Sequence, residues 1–228
     1  MCWQTGKNKK YLLNKVSMFN PKHYDQMPQK SLFILTIFLL FTNVTHCQNL
    51  DIELLRNINL QRNTSLDGTF KAISNSTPYI CIGIPTGMLG IGLLKKDSNL
   101  VRKAIVIGAS VVTSAIITQA IKYSVNRPRP FETYPDIQKL SDGGSPSFPS
   151  GHTSEAFSMA TSLSLECPEW YIIAPSYAWA TTVAYSRMDL GVHYPSDILM
   201  GAVVGAGSAF LCHYLNKKLF RQTKLLSW

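Results

Sequence analysis

The chain is 228 residues long, the length of one domain with room for a sizeable core. Only 15% of its residues are charged while 46% are apolar, a balance that points toward a membrane and away from a highly solvated protein. The net charge of +9 forms no basic stripe with interleaved aromatics, which argues against nucleic acid as the partner.

Residues 1–30 are polar and lysine-rich, and 32–42 (LFILTIFLLFT) form a compact apolar run. That run is short for a membrane span but fits the hydrophobic region of a signal peptide, with Lys30 just upstream. Residues 1–47 are therefore expected to be an export signal cleaved before Gln48, or an uncleaved anchor with a basic leader. In 48–78 an amphipathic surface segment is expected. Apolar residues at 52, 54, 55 and 58 have a partly helical spacing over 51–63, which a plain connector also fits. A second short helix is expected over 65–74, ending before Pro78.

Five apolar stretches follow, at 79–94, 104–121, 153–165, 171–185 and 198–215. Several fall short of the ~20 residues that cross a bilayer, unless their helices continue into the polar blocks beside them. Gly201, Gly205, Gly207 and Ser208 give the last stretch the small residues that close helix packing in membranes uses. Lys95, Lys96, Arg102 and Lys103 follow the first stretch, and Lys217, Lys218, Arg221 and Lys224 follow the fifth. Both clusters belong on the cytoplasmic side. Five crossings then put every polar block on the outer face, with 79–216 as the domain that carries them and 217–228 as a basic cytoplasmic tail. The five cysteines (Cys2, Cys47, Cys81, Cys167, Cys212) have no CxxC spacing, so neither a zinc site nor a disulfide framework is expected.

Three polar blocks interrupt the apolar chain: 122–130 (KYSVNRPRP), 149–152 (PSGH) and 186–197 (SRMDLGVHYPSD). The cations Lys122, Arg129 and Arg187 come from distant parts of the sequence yet fall at one expected level. Arg offers a planar fork to two phosphate oxygens, and Lys adds a point charge. Ser150, Gly151 and His152 open a helix, where backbone N–H groups and the Ser150 hydroxyl can meet an anion. Pro195 suits the first turn of the last helix, so Asp197 can reach back to His193, fix its tautomer and leave the other ring nitrogen to attack. Asp197 also complements that helix's dipole. The two histidines then divide the work: neutral His193 attacks phosphorus, and protonated His152 serves the leaving oxygen. The fixed cations neutralise the phosphoryl oxygens, so no metal or other cofactor is expected.

These blocks resemble the three signature motifs of the type-2 phosphatidic-acid phosphatase superfamily, K-x6-RP, PSGH and SR-x5-H-x3-D. Every signature position is filled, by Lys122, Arg129-Pro130, Pro149 to His152, Ser186-Arg187, His193 and Asp197. Counting from Lys122 selects Arg129 and leaves Arg127-Pro128 as a decoy. The resemblance implies an all-α, integral-membrane bundle of about six helices with its site at the outer membrane–water interface. It further implies His193 as nucleophile, His152 as acid and Asp197 as support. Lys122, Arg129, Ser150, Gly151, His152 and Arg187 would hold phosphate.

The implied substrate is a lipid phosphomonoester or diphosphate, such as undecaprenyl diphosphate, phosphatidylglycerol phosphate, phosphatidic acid or a lipid A phosphate. Membrane lipids are the expected surroundings, and no obligate protein partner is evident. Two other classes share such motifs: a vanadate-dependent haloperoxidase, and a non-catalytic membrane protein that binds lipid phosphate. The five apolar stretches argue against the first, and the presence of both histidines against the second.

Overall fold

The computed structural model describes residues 44–226. The apolar run at 32–42, and with it the signal-or-anchor expectation, lies outside the described residues. The chain divides into two units, Met1–Gln48 and Asn49–Trp228, and the fold is that of the second. It is all-α, as expected. Among the described residues, six helices are longer than ten residues: α1 (Val44–Leu60), α2 (Asp67–Lys95), α3 (Ser98–Val125), α5 (Gly151–Glu166), α6 (Trp170–Asp189) and α7 (Pro195–Leu226), with a single turn, α4 (Pro130–Thr133), between α3 and α5.

Helices α2, α3 and α7 are long and apolar enough to cross a membrane. Each outruns its apolar stretch, because its ends continue into the polar segments. Outward-facing Ile82, Leu93, Val112, Ile116, Val203 and Phe210 leave an apolar exterior suited to lipid. Helix α5 has only 16 residues, about 24 Å at 1.5 Å per residue, less than the ~30 Å of a bilayer's hydrocarbon. It does not need to face lipid. It packs against α2, α3, α6 and α7, which surround it, so Ser154, Ser158, Thr161 and Ser162 can be buried on it.

Lipid is as apolar as leucine, so close contact and interhelical hydrogen bonds must hold such a bundle. Ser154 and Thr118 join hydroxyls across α5 and α3 at 2.8 Å. On α7, Gly205 lets the helix backbones touch: a Cβ there would lie 2.2 Å from the Ser154 carbonyl oxygen.

Two expectations for the segment before residue 79 change. The expected short helix over 65–74 is the start of α2, which runs through Pro78 without stopping. Pro78 has no N–H for the carbonyl of Ser74, and the Thr77 hydroxyl donates to that oxygen instead, at 2.8 Å. The helix expected over 51–63 is present as far as Leu60 and is no connector. Ile52 and Leu55 pack with Ile137 and Tyr194, and the Asn59 amide donates to the carbonyls of Gln138 and Asp189. Helix α1 thus clamps the loops that carry the polar blocks.

Candidate active site

The three polar blocks converge at one end of the bundle. Lys122 lies in the last turn of α3 and is buried, and its ammonium donates to the Pro146 carbonyl. Helix α3 ends four residues later, at left-handed Asn126. Arg129 then caps the single turn α4, its backbone N–H donating to Glu132. Its guanidinium donates through Nε to the Ser145 carbonyl at 2.8 Å and through Nη1 to the Val192 carbonyl at 2.9 Å. Arg187, in the last turn of α6, donates to the hydroxyls of Ser74 at 2.6 Å and Ser141 at 3.3 Å. Its Nε is buried with no partner, an N–H left for an anion.

His193 sits in the turn from α6 to α7. That turn needs Gly191, whose φ is +72° and whose Cβ, were there one, would meet the Gln138 carbonyl at 2.2 Å. Pro195 opens α7 and Asp197 lies in its first turn, accepting the Tyr194 N–H at 3.0 Å, the returning half of a capping box. The same carboxylate oxygen lies 3.4 Å from His193 Nδ1 and accepts the Ser147 hydroxyl. A carboxylate can only accept, so the Nδ1 proton belongs on that side and Nε2 carries the lone pair. Nε2 faces Arg129 Nη1 at 3.5 Å. Burial, the largest effect, pushes the His193 imidazole down from 6.5 to about 3; Arg187 and Arg129 push the same way, and Asp197 opposes them. At neutral pH His193 is therefore uncharged.

A cleft of about 400 Å³ joins these groups, within the usual range for ligand pockets. Lys122, Arg129, Arg187, Gly151, His152 and His193 all line it, with Asp142, Gly143, Gly144 and Ser145 on the loop above and Gln119 and Glu155 on the helices. Ser150 and Asp197 stand behind the lining. Ser150 is fully buried, its N–H donates to the Asp197 carbonyl at 3.0 Å, and its hydroxyl accepts from Thr153 at 2.9 Å. The structure gives Ser150 a bracing contact between α5 and α7 and no exposure to the cleft. Among the described residues, no three His, Cys, Asp or Glu side chains group where a metal ion could sit.

A family model described as the PAP2 superfamily matches residues 103–221, about half of the chain. The chain belongs to the PAP2 superfamily. Together with its phosphatase-named relatives, this makes it a hydrolase acting on phosphoric ester bonds, built on a membrane-spanning helical scaffold. Undecaprenyl-diphosphatase of Sulfolobus acidocaldarius is 30% identical over 78% of this chain and 84% of its own length. Lipid A 1-phosphatase of Porphyromonas gingivalis is 28% identical over 72% of this chain but only 35% of its own length. Among solved structures, Aquifex aeolicus LpxE aligns with a TM-score of 0.62 at 28% identity, covering 74% of this chain and 95% of that one. A PAP2-type phosphatidylglycerolphosphate phosphatase from Bacillus subtilis also aligns at 0.62, with 24% identity, and shares the fold.

Sequence reasoning missed three residues behind this PAP2 site. Arg127, set aside as a decoy by spacing, donates to Asp197 Oδ1 at 2.7 Å and to Asp51 at 2.8 Å. Ser147, fully buried, stands against both Asp197 and His193 Nδ1. Asp51 reaches the site from α1. Spacing from Lys122 identifies the cation that enters the cleft and is blind to one that stays behind it; no signal in the sequence marks Ser147.

Proposed function

We propose that this protein removes phosphate from a lipid phosphomonoester, or the terminal phosphate from a lipid diphosphate, through a phosphohistidine at His193 and without a metal ion. The observation that carries the reading is the His193 ring itself: one nitrogen backed by Asp197 and Ser147, the other turned toward a cleft walled by Lys122, Arg129 and Arg187.

A phosphate monoester carries a charge of about −1.5 to −2, matched by three fixed cations in a site of low dielectric. Burial, then Arg187, Arg129 and Lys122, push the His152 imidazole down to about 3 in the empty site, so it takes up its proton only as the phosphate dianion enters and offsets those cations. In the first step His193 Nε2 bonds to phosphorus as the P–O bond to the lipid breaks, and His152 gives that proton to the departing oxygen. In the second, a water loses a proton to His152 and attacks phosphorus; the N–P bond breaks, releasing inorganic phosphate and restoring both rings. Arg129, Arg187 and Lys122 hold the equatorial oxygens throughout, supplying positive charge where phosphoryl transfer needs it. Amide N–H groups at the start of α5 add to this.

Three membrane-length helices with an apolar exterior support a lipid carrier for the phosphate. Relatives named for undecaprenyl diphosphate and lipid A phosphate put those two substrates first in any panel. Charge supports an outward-facing cleft. Lys95, Lys96, Lys103 and Lys217 all belong to the end of the bundle opposite the cleft, where Glu166 pairs with Arg102 at 3.4 Å and with His213 at 2.8 Å.

Purified protein in detergent, given undecaprenyl diphosphate, lipid A phosphates, phosphatidylglycerol phosphate and phosphatidic acid, is expected to release phosphate from at least one and to do so in EDTA. Acid-sensitive label from radioactive substrate should stay on the wild-type chain and be absent from His193→Ala, which should release none. Near-normal turnover by His193→Ala removes the nucleophile, and a strict magnesium requirement removes the metal-free scheme.

A further inference from the structure

Behind His193 lies an ionic chain that the scheme above does not use and that begins outside the family-matched residues. Asp51, on α1, is buried. One of its oxygens accepts the Ser196 N–H at 2.8 Å; the other accepts the Ser196 hydroxyl and Arg127 Nη2, the latter at 2.8 Å. Arg127 Nη1 donates at 2.7 Å to Asp197 Oδ1 and at 2.7 Å to the Ser196 hydroxyl. The guanidinium lies over the Tyr194 ring, 3.8 Å from its centroid, so its orientation is fixed from a third side. Asp197 thereby divides its oxygens: Oδ1 belongs to Arg127, and Oδ2 to Ser147, Tyr194 and His193.

We propose that Asp51 and Arg127 are positioning residues that set the orientation and effective charge of the Asp197 carboxylate behind His193. The proposal rests on His193 as nucleophile and adds α1 to the working parts of the enzyme. Arg127 is shared between two carboxylates, so each partner controls how much positive charge the other feels. Removing Arg127 leaves the whole Asp197 charge directed at His193 Nδ1–H and frees the carboxylate to turn. Neutralising Asp51 does the reverse: Arg127 then draws on Asp197 alone, and the bond to the imidazole weakens. A merely structural role would loosen the site in the same sense in both variants. A positioning role gives opposite signs.

Other charged or titratable groups also face His193: Lys122 from α3, Arg129 from the start of α4, His152 and Glu155 from α5, Arg187 from α6, Asp142 from the loop and Asp197 itself. All are the same in every variant compared, so they fix the baseline and not the difference.

The test is proton NMR of the His193 Nδ1–H at neutral pH, on full-length protein with labelled histidine in detergent micelles, alongside kcat and KM. Arg127→Met is expected to move this proton downfield, toward a stronger bond to Asp197, and Asp51→Asn to move it upfield. The double variant should resemble Arg127→Met, because Asp51 acts through Arg127. Both single variants should lose on the order of 10²-fold or less in kcat with KM nearly unchanged, as misplacement without lost binding predicts. Arg127→Lys keeps the charge and should hold the proton near its wild-type position, which preserves the test if Arg127→Met does not fold. Shifts of the same sign, no shift, or additive shifts in the double variant overturn the proposal. A wild type that releases no phosphate from any lipid overturns the catalytic reading alone, since the NMR signs still judge the coupling.

Discussion

Replacing Asp197 with Asn tests the site at its most constrained point. The carboxylate is fully buried and meets four donors: Arg127 at 2.7 Å, the Tyr194 N–H at 3.0 Å, the Ser147 hydroxyl and His193 Nδ1 at 3.4 Å. An amide has one oxygen and one NH2 group, so it cannot accept on both sides. With its oxygen toward Tyr194 and Ser147, its NH2 confronts Arg127. Turned the other way, its NH2 faces the Tyr194 N–H and donates to His193, driving the ring proton onto Nε2, the nitrogen proposed to attack. Where an Asp holds a catalytic histidine's tautomer at close range, its loss costs about 10⁴ in kcat. Here the contact is longer than the usual hydrogen bond and Ser147 shares it. The expected loss is therefore smaller, about 10²–10³-fold in kcat, or roughly 3–4 kcal/mol of barrier. KM should barely move, because the three cleft cations are untouched. Breaking a buried ion pair costs about 3–5 kcal/mol of stability; Arg127 keeps Asp51, so about 2 kcal/mol is expected. The assay is phosphate release against substrate concentration, with thermal unfolding in the same detergent. A kcat within tenfold of wild type, or a loss confined to KM, would refute the orienting role.

Acid should destabilise the fold through His193. Its imidazole sits at about 3 when folded and near 6.5 when exposed, so the unfolded chain binds the extra proton in between. Its contribution is complete above ~6.5 and is lost toward 3, at up to about 1.4 kcal/mol per pH unit for one proton. Unfolding temperatures measured from pH 7 to 4 should fall less steeply in His193→Gln than in wild type; parallel curves would mean His193 is not the group. Gly205→Leu should break the α5–α7 contact, because even its Cβ would lie 2.2 Å from the Ser154 oxygen, whereas Gly207→Ala, with nothing within 4 Å, should melt like wild type. Equal melting of the two variants would contradict that packing.

The cleft-lining cations and histidines were legible because each stands in a short polar block against an apolar background, where a charge is conspicuous. One helix start was legible too where chemistry marks it: Pro195 opens α7. What stayed hidden depends on distance in space. Pro78 reads as a stop, yet the Thr77 hydroxyl supplies the missing donor and α2 continues. Ser150 reads as a phosphate ligand because it precedes Gly151 and His152, but in the structure its side chain is fully buried, its hydroxyl accepting from Thr153 one turn along α5 while its backbone N–H meets the Asp197 carbonyl. Helix α5 reads as a span cut short, and becomes intelligible only once four helices surround it.

The loop from Ser141 to Ser147 explains how three cations stand together before substrate arrives. Like charges in a low-dielectric pocket repel, and each is met by a carbonyl of this loop: Lys122 by Pro146, Arg129 by Ser145 at 2.8 Å, and Arg187 by Asp142 at 3.5 Å. Gly143 lets the loop lie flat on Arg129, since a Cβ there would come within 2.7 Å of the guanidinium. A carbonyl is a dipole, strong enough to hold a guanidinium in place and too weak to neutralise it. The cations therefore remain oriented and under-compensated, a state that an anion relieves and a neutral headgroup does not. A dianionic phosphate relieves it more fully than a monoanionic diester, so under the proposed function the same arrangement that keeps the resting site intact should favour the terminal phosphate of a lipid over its internal phosphodiester, a preference that phosphate release from a matched monoester and diester would check.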